Sequence, residues 1–124
     1  MTKNPLVLIV EDDDWMAQQH QRSLEAAGMR TKIASHALAA IDALDAVRPD
    51  VIVLDVLLPG PNAFTLLHEM HSHADLAGIP VVLCTNSADQ LVKEDLKAYG
   101  VRRVLDKTKM QPKELEAAVR KALL

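Results

Sequence analysis

The sequence has a single cysteine, Cys84, which excludes an internal disulfide and any thiolate metal cluster. It ends the apolar run Val81-Val82-Leu83, where a buried, inert thiol is expected. No segment is long and apolar enough to span a bilayer. Lys3 leads directly into a short apolar run and an acidic turn, which is not a signal peptide, so a cytoplasmic protein without membrane contact is expected. Excess positive charge is also missing: the net charge of −3 offers no basic face for direct nucleic-acid binding. Arg102, Arg103, Lys107 and Lys109 alternate with Val104, Leu105 and Asp106, the pattern of a strand and its exit. There is no repeat, low-complexity tract or linker, and residues 1–124 are expected to form one compact domain.

What is present alternates. Strands are expected at Leu6–Val10, Arg30–Ala34, Val51–Leu54, Pro80–Cys84 and Arg102–Leu105. Helices are expected at Asp14–Ala27, Ala37–Val47, Ala63–His73, Ala88–Tyr99 and Pro112–Leu123. Strict alternation of this kind argues for an α/β fold, a parallel sheet covered on both faces. Gly28 and Gly100 fall at helix ends, and Pro49, Pro80 and Pro112 at element starts. The first, third and fourth runs are continuously apolar, as central strands are, whereas the second and fifth are mixed, as edges are.

Charge then interrupts the apolar pattern. Asp55 follows Val51-Ile52-Val53-Leu54, and Glu11-Asp12-Asp13-Asp14 follows Leu6–Val10. A lone ionised group beside a core strand is poorly tolerated unless something uses it. In a doubly wound sheet, ligands sit beyond the carboxyl ends of the strands, where the winding reverses. With the first strand beside the third, Glu11, Asp12 and Asp55 meet there, and Thr85 and Lys107 close the same crevice from the fourth and fifth strands. Crowded carboxylates call for a cation, and oxygen ligands without His or Cys select a hard ion such as Mg²⁺. A carboxylate can also attack a phosphoryl group to give an acyl phosphate, with Lys107 and the Thr85 hydroxyl holding its remaining oxygens. Asp13 and Asp14 are accounted for by helix capping; Asp55 is not.

With Val10-Glu11-Asp12-Asp13, Asp55 with Leu58-Pro59-Gly60, Thr85 and Lys107 in order, the chain resembles the receiver domain of two-component response regulators. The resemblance implies a flavodoxin-like (βα)5 doubly wound sheet of five parallel strands in order 2-1-3-4-5. It implies that Asp55 is the phosphoacceptor, taking its phosphoryl group from a histidine kinase, a histidine phosphotransfer protein or a small phosphodonor. It implies Mg²⁺ bound by Asp12, Asp55, the Leu57 carbonyl and, through water, Glu11. Thr85 and Lys107 would contact the transferred group. Phosphorylation would re-set a surface that meets a downstream protein, with the chain a monomer or weak dimer and no enzyme toward other substrates.

Several positions depart from that pattern. Thr108 stands where the family usually has Pro after a cis peptide; before a non-proline residue the cis form costs about 2.5–4 kcal/mol, so a trans bond is expected, with Lys107 reaching Asp55 differently or less reliably. Val104 replaces the usual aromatic rotor, and Tyr99, close by, is expected to pack. Asn86 replaces a small residue, and apolar Leu57 offers no side chain to orient attacking water, so the phosphorylated state is expected to decay slowly. Asn62, where the family often has Asp, is expected to serve as a helix N-cap. His20 takes a usual Leu position and is expected to be partly buried and hydrogen-bonded. His68 and His71 share a helix face that lacks a third zinc ligand. These departures leave an alternative, a receiver-like interaction module with a weak or unused switch. A phosphatase acting on external esters is disfavoured because Leu57 supplies no second carboxylate.

Overall fold

The computed structural model of the chain describes residues 4–56, 62–86 and 93–124. Within them, β1 (Leu6–Val10), β2 (Arg30–Ala34), β3 (Val51–Asp55), β4 (Val81–Thr85) and β5 (Val101–Asp106) alternate with α1 (Asp14–Ala26), α2 (Ala37–Ala46), α3 (Ala63–His71), α4 (Lys93–Ala98) and α5 (Pro112–Ala122). The strands form one parallel sheet in the order β2-β1-β3-β4-β5, so the winding reverses between β1 and β3. The mixed runs are the two edges and the purely aliphatic runs are the centre, as expected.

Period-two alternation explains why the central strands tolerate no polar residue until their ends. Leu8, Val10, Ile52, Leu54, Val81 and Leu83 enter one core with Ala40, Leu44, Leu66, Leu67 and Leu96. Val7, Ile9, Val51, Val53, Val82 and Cys84 enter the other, with Leu24, Leu115 and Val119. The helices α2, α3 and α4 therefore cover one face, and α1 and α5 the other.

Local chemistry sets the boundaries. The Met16 N–H donates to Asp13 Oδ1 (3.0 Å) at the start of α1, and the Thr65 N–H to Asn62 Oδ1 (2.9 Å) at the start of α3. Pro112 opens α5, where no N–H is required. Gly28 and Gly100 hold φ of 89° and 80° just past α1 and α4, a region that suits glycine. The helix expected to reach His73 stops at His71, because the Ser72 hydroxyl donates to the Glu69 carbonyl (2.7 Å) and competes with the helical ladder. Val47 is already extended (φ −146°), ending α2 at Ala46. Strand β5 runs on to Asp106, which pairs with Thr85. The expected start of the fourth helix, at Ala88, lies outside the described residues.

Candidate functional site

The register brings the chemistry to one edge. Val10 pairs with Leu54, Asp55 with Cys84, and Thr85 with Asp106, so Glu11, Asp55, Thr85 and Lys107 all emerge at the carboxyl ends of β1, β3, β4 and β5. Two hydrogen bonds extend the ladder past the strands and fix the exits: Glu11 N–H to the Ala34 carbonyl (3.0 Å) and Lys107 N–H to the Thr85 carbonyl (2.9 Å). Glu11, Asp55 and Thr85 are buried, whereas Asp12 is exposed at the mouth.

Lys107 ties the crevice together. Its Nζ lies 2.6 Å from Glu11 Oε1 and 3.0 Å from Asp55 Oδ2. One carboxylate oxygen each from Glu11, Asp12 and Asp55 lie within 4.8 Å of one another. Burial first, then the hydrogen bond and charge of Asp55, push the Glu11 carboxyl up to about 7 against the opposing pull of Lys107. Burial disfavours the Lys107 ammonium, but hydrogen bonds and charges from Glu11 and Asp55 outweigh it, and its pKa is raised. Lys107 meets two of these three clustered carboxyl groups, Glu11 and Asp55, and Asp12 adds its oxygens at the exposed side. A hard, oxygen-seeking cation fits that donor set. Cys84, beside Asp55 across the ladder, is buried and its thiol is pushed up to about 12, an inert neighbour.

Of the two outcomes expected for Lys107, a less reliable reach to Asp55 is not what the structure shows. The described residues contain no cis peptide, so Lys107-Thr108 is trans, yet the ammonium sits on Asp55. The reach goes together with a turn the sequence reading missed. Asp106 Oδ1 accepts from both the Thr108 N–H (2.9 Å) and its hydroxyl (2.6 Å), while Lys109 N–H donates to the Asp106 carbonyl (3.1 Å). This Asx turn spans Lys107 at the position where a proline would otherwise shape the exit. The bonds from Thr108 also lower the Asp106 pKa. An Asp-x-Thr signal at a strand end is legible in sequence.

Other expectations fare unevenly. Leu57, with Leu58, Pro59 and Gly60, lies outside the described residues. His20 is buried, but among the described residues its Nε2 has no hydrogen-bond partner, contrary to the bond expected for it. Burial, with the Lys107 charge adding and Asp55 opposing, pushes His20 down to about 4. Tyr99 packs as expected, edge-on to both His68 and His71, with ring centroids 6.3 and 5.9 Å away. Those histidines are exposed, and no third ligand joins them among the described residues. Val104 is half-buried against the core.

A flavodoxin-like sheet with acidic residues and a lysine gathered at its switch point defines a class of α/β modules built around one strand-end carboxylate. Within that class the chain belongs to the response regulator receiver domain family, which matches residues 7–120. It is 30% identical over 123 residues to the DNA-binding response regulator MtrA of Mycolicibacterium smegmatis, covering 98% of this chain and 52% of that protein. The chain thus spans about half the length of that relative. The signal receiver domain of a signal-transduction histidine kinase from Syntrophus aciditrophicus superposes with a TM-score of 0.84 at 28% identity, over 96% of this chain and 89% of that one. The receiver domain of a sensor histidine kinase from Pseudomonas aeruginosa PAO1, solved with magnesium coordinated in its active-site cleft, shares the fold (TM-score 0.85, 21% identity, 97% and 98% covered). The chain is a receiver domain of two-component signalling.

Proposed function

We propose that Asp55 is the phosphoacceptor, loaded by a histidine kinase, a histidine phosphotransfer protein or a small phosphodonor. One observation carries this reading: Asp55 ends a fully buried strand with the Lys107 ammonium 3.0 Å from Oδ2 and two further carboxylates beside it. An Asp55 oxygen attacks phosphorus, the new O–P bond forms as the donor's P–N or P–O bond breaks, and an acyl phosphate results. Lys107 neutralises the added oxygens, and the buried Thr85 at the end of β4 supplies a hydroxyl to them. Glu11, Asp12 and Asp55, with the Leu57 carbonyl, are the residues that would hold Mg²⁺, the ion reported in the Pseudomonas relative. When bound, that ion would offset the charge of three carboxylates and the phosphoryl group.

The product is a changed protein surface read by a downstream partner, in the cytoplasm. The alternative, a module with an unused switch, is weakened by Lys107, which reaches Asp55 despite Thr108. The test is incubation with Mg²⁺ and acetyl phosphate, followed by intact-mass measurement. A single phosphoryl adduct that is absent from Asp55→Asn and persists slowly is expected. No adduct, or an equal adduct on Asp55→Asn, sinks the assignment; rapid loss sinks the slow-decay reading drawn from Leu57 and Asn86.

A further inference from the structure

Among the described helix starts, those of α1, α2 and α3 carry a side-chain cap, and the cap of α2 differs in kind. Asp13 Oδ1 caps α1 and Asn62 Oδ1 caps α3, both oxygen acceptors of the preferred type. At α2 the acceptor is a ring nitrogen: the Ala39 N–H donates to His36 Nδ1 (3.1 Å). Imidazole is not a preferred cap, and Ser35, a better one by type, stands one residue too early. The His36 backbone is extended (φ −159°, ψ 172°), and the residue is half-buried rather than enclosed.

The geometry fixes where a proton can go. An Nδ1 that accepts from a backbone N–H carries no hydrogen, so the neutral ring holds its hydrogen on Nε2. A second proton enters at Nδ1 and turns the acceptor into a donor facing another donor. It also sets a positive charge at the positive end of the α2 dipole. Both effects act in one direction. The backbone bond from Ala40 N–H to the His36 carbonyl (3.0 Å) is untouched, so the change stays within the first turn. That turn follows directly on the exit of β2, where the Ala34 carbonyl holds the Glu11 N–H (3.0 Å).

Helix α2 packs against β1, β2 and α3. The charged or titratable groups on those elements are Arg30 and Lys32 on β2, Glu11 and Asp12 just past β1, and His68, Glu69 and His71 on α3, with Asp42 and Asp45 on α2 itself. Among the described residues none forms an ion pair with His36, so no carboxylate offsets the lost bond.

We propose that His36 is an acid-sensitive helix cap: the neutral ring closes the first turn of α2, and protonation at Nδ1 opens it, next to the strand exit that carries Glu11. The device does not depend on phosphoryl transfer to Asp55.

The full chain, labelled with ¹⁵N, is followed by NMR from about pH 8 to about pH 5, the range in which histidine changes charge. At the upper end, the His36 Nδ1 resonance is expected to be that of an unprotonated nitrogen. On acidification the Ala39 amide is expected to shift with the ring, and its hydrogen-exchange protection to fall about fivefold, as loss of one cap bond implies. His36→Asn keeps an acceptor that does not titrate, and its Ala39 protection is expected to stay level. His36→Ala is expected to show the low protection at both ends of the range. A hydrogen on Nδ1 at the upper end, or parent protection that is unchanged by acid or equal to that of His36→Ala throughout, would overturn the proposal. So would an equal fall in His36→Asn, which would trace the effect to the Glu11 carboxyl, a group that titrates in the same range.

Discussion

His20 is a titratable group placed where an aliphatic side chain would pack. Its imidazole ordinarily titrates near 6.5 and is held down to about 4 in the fold, so the unfolded chain takes up the proton first. Stability linked to His20 is therefore complete above pH 6.5 and is lost as pH falls through 4. Chemical denaturation at pH 7 and pH 4.5 should show His20→Leu retaining up to roughly 2–3 kcal/mol that the parent loses on acidification. Equal losses in both proteins would contradict the burial argument. At this scale the sequence was informative about charge and silent about partners. Asp55 and Glu11 stood out because they end aliphatic runs, whereas the missing bond of His20 depends on neighbours from another helix. Lys107 was legible as a residue; its reach was not, because comparison with a proline-bearing pattern hides what Asp106 does for Thr108.

That turn belongs to the scale of elements. It joins β5 to α5, and its two bonds to Asp106 Oδ1 orient the residue between them. Asp106→Ala should leave the sheet intact and lower the rate of Asp55 phosphorylation by acetyl phosphate, while Asp106→Asn, which keeps an acceptor oxygen, should retain most of it. Unchanged rates in both variants would remove the turn from the account of Lys107. The elements themselves were largely readable. Strands β1, β3 and β4 are aliphatic throughout because both faces are covered, and Asp13, Asn62 and Pro112 mark helix starts. Ends were less so: Ser72 stops α3 through a side-chain bond that no hydrophobic period reports.

Across the whole molecule, the acidic crevice draws on strand exits from both sides of the switch point, so an ion bound there ties the exits of β1 and β3 together. At a Mg²⁺ concentration a hundredfold above its dissociation constant, the folded state should gain about 2.7 kcal/mol. Thermal unfolding should move up by several degrees in Mg²⁺ and stay put in Asp12→Ala. An equal shift in that variant would place the ion elsewhere. Which strands are central and which are edges was legible at this scale from the contrast of mixed and pure runs, because a two-sided cover leaves no room for polar side chains. The order 2-1-3-4-5 came from the family resemblance.

The same aliphatic strands have another life before the sheet closes. Val51–Asp55 and Val81–Thr85 are buried along their whole length once folded. In a nascent or heat-unfolded chain such β-branched runs are the kind that stack with their own copies into cross-β fibrils. Glu11 and Asp12 follow the similar run Leu6–Val10 and Asp55 ends Val51–Leu54, where charge makes a stacked register repulsive. The carboxylates that serve the crevice in the fold thus act as gatekeepers outside it, and neutralising them to silence the switch strips the unfolded chain of protection against aggregation.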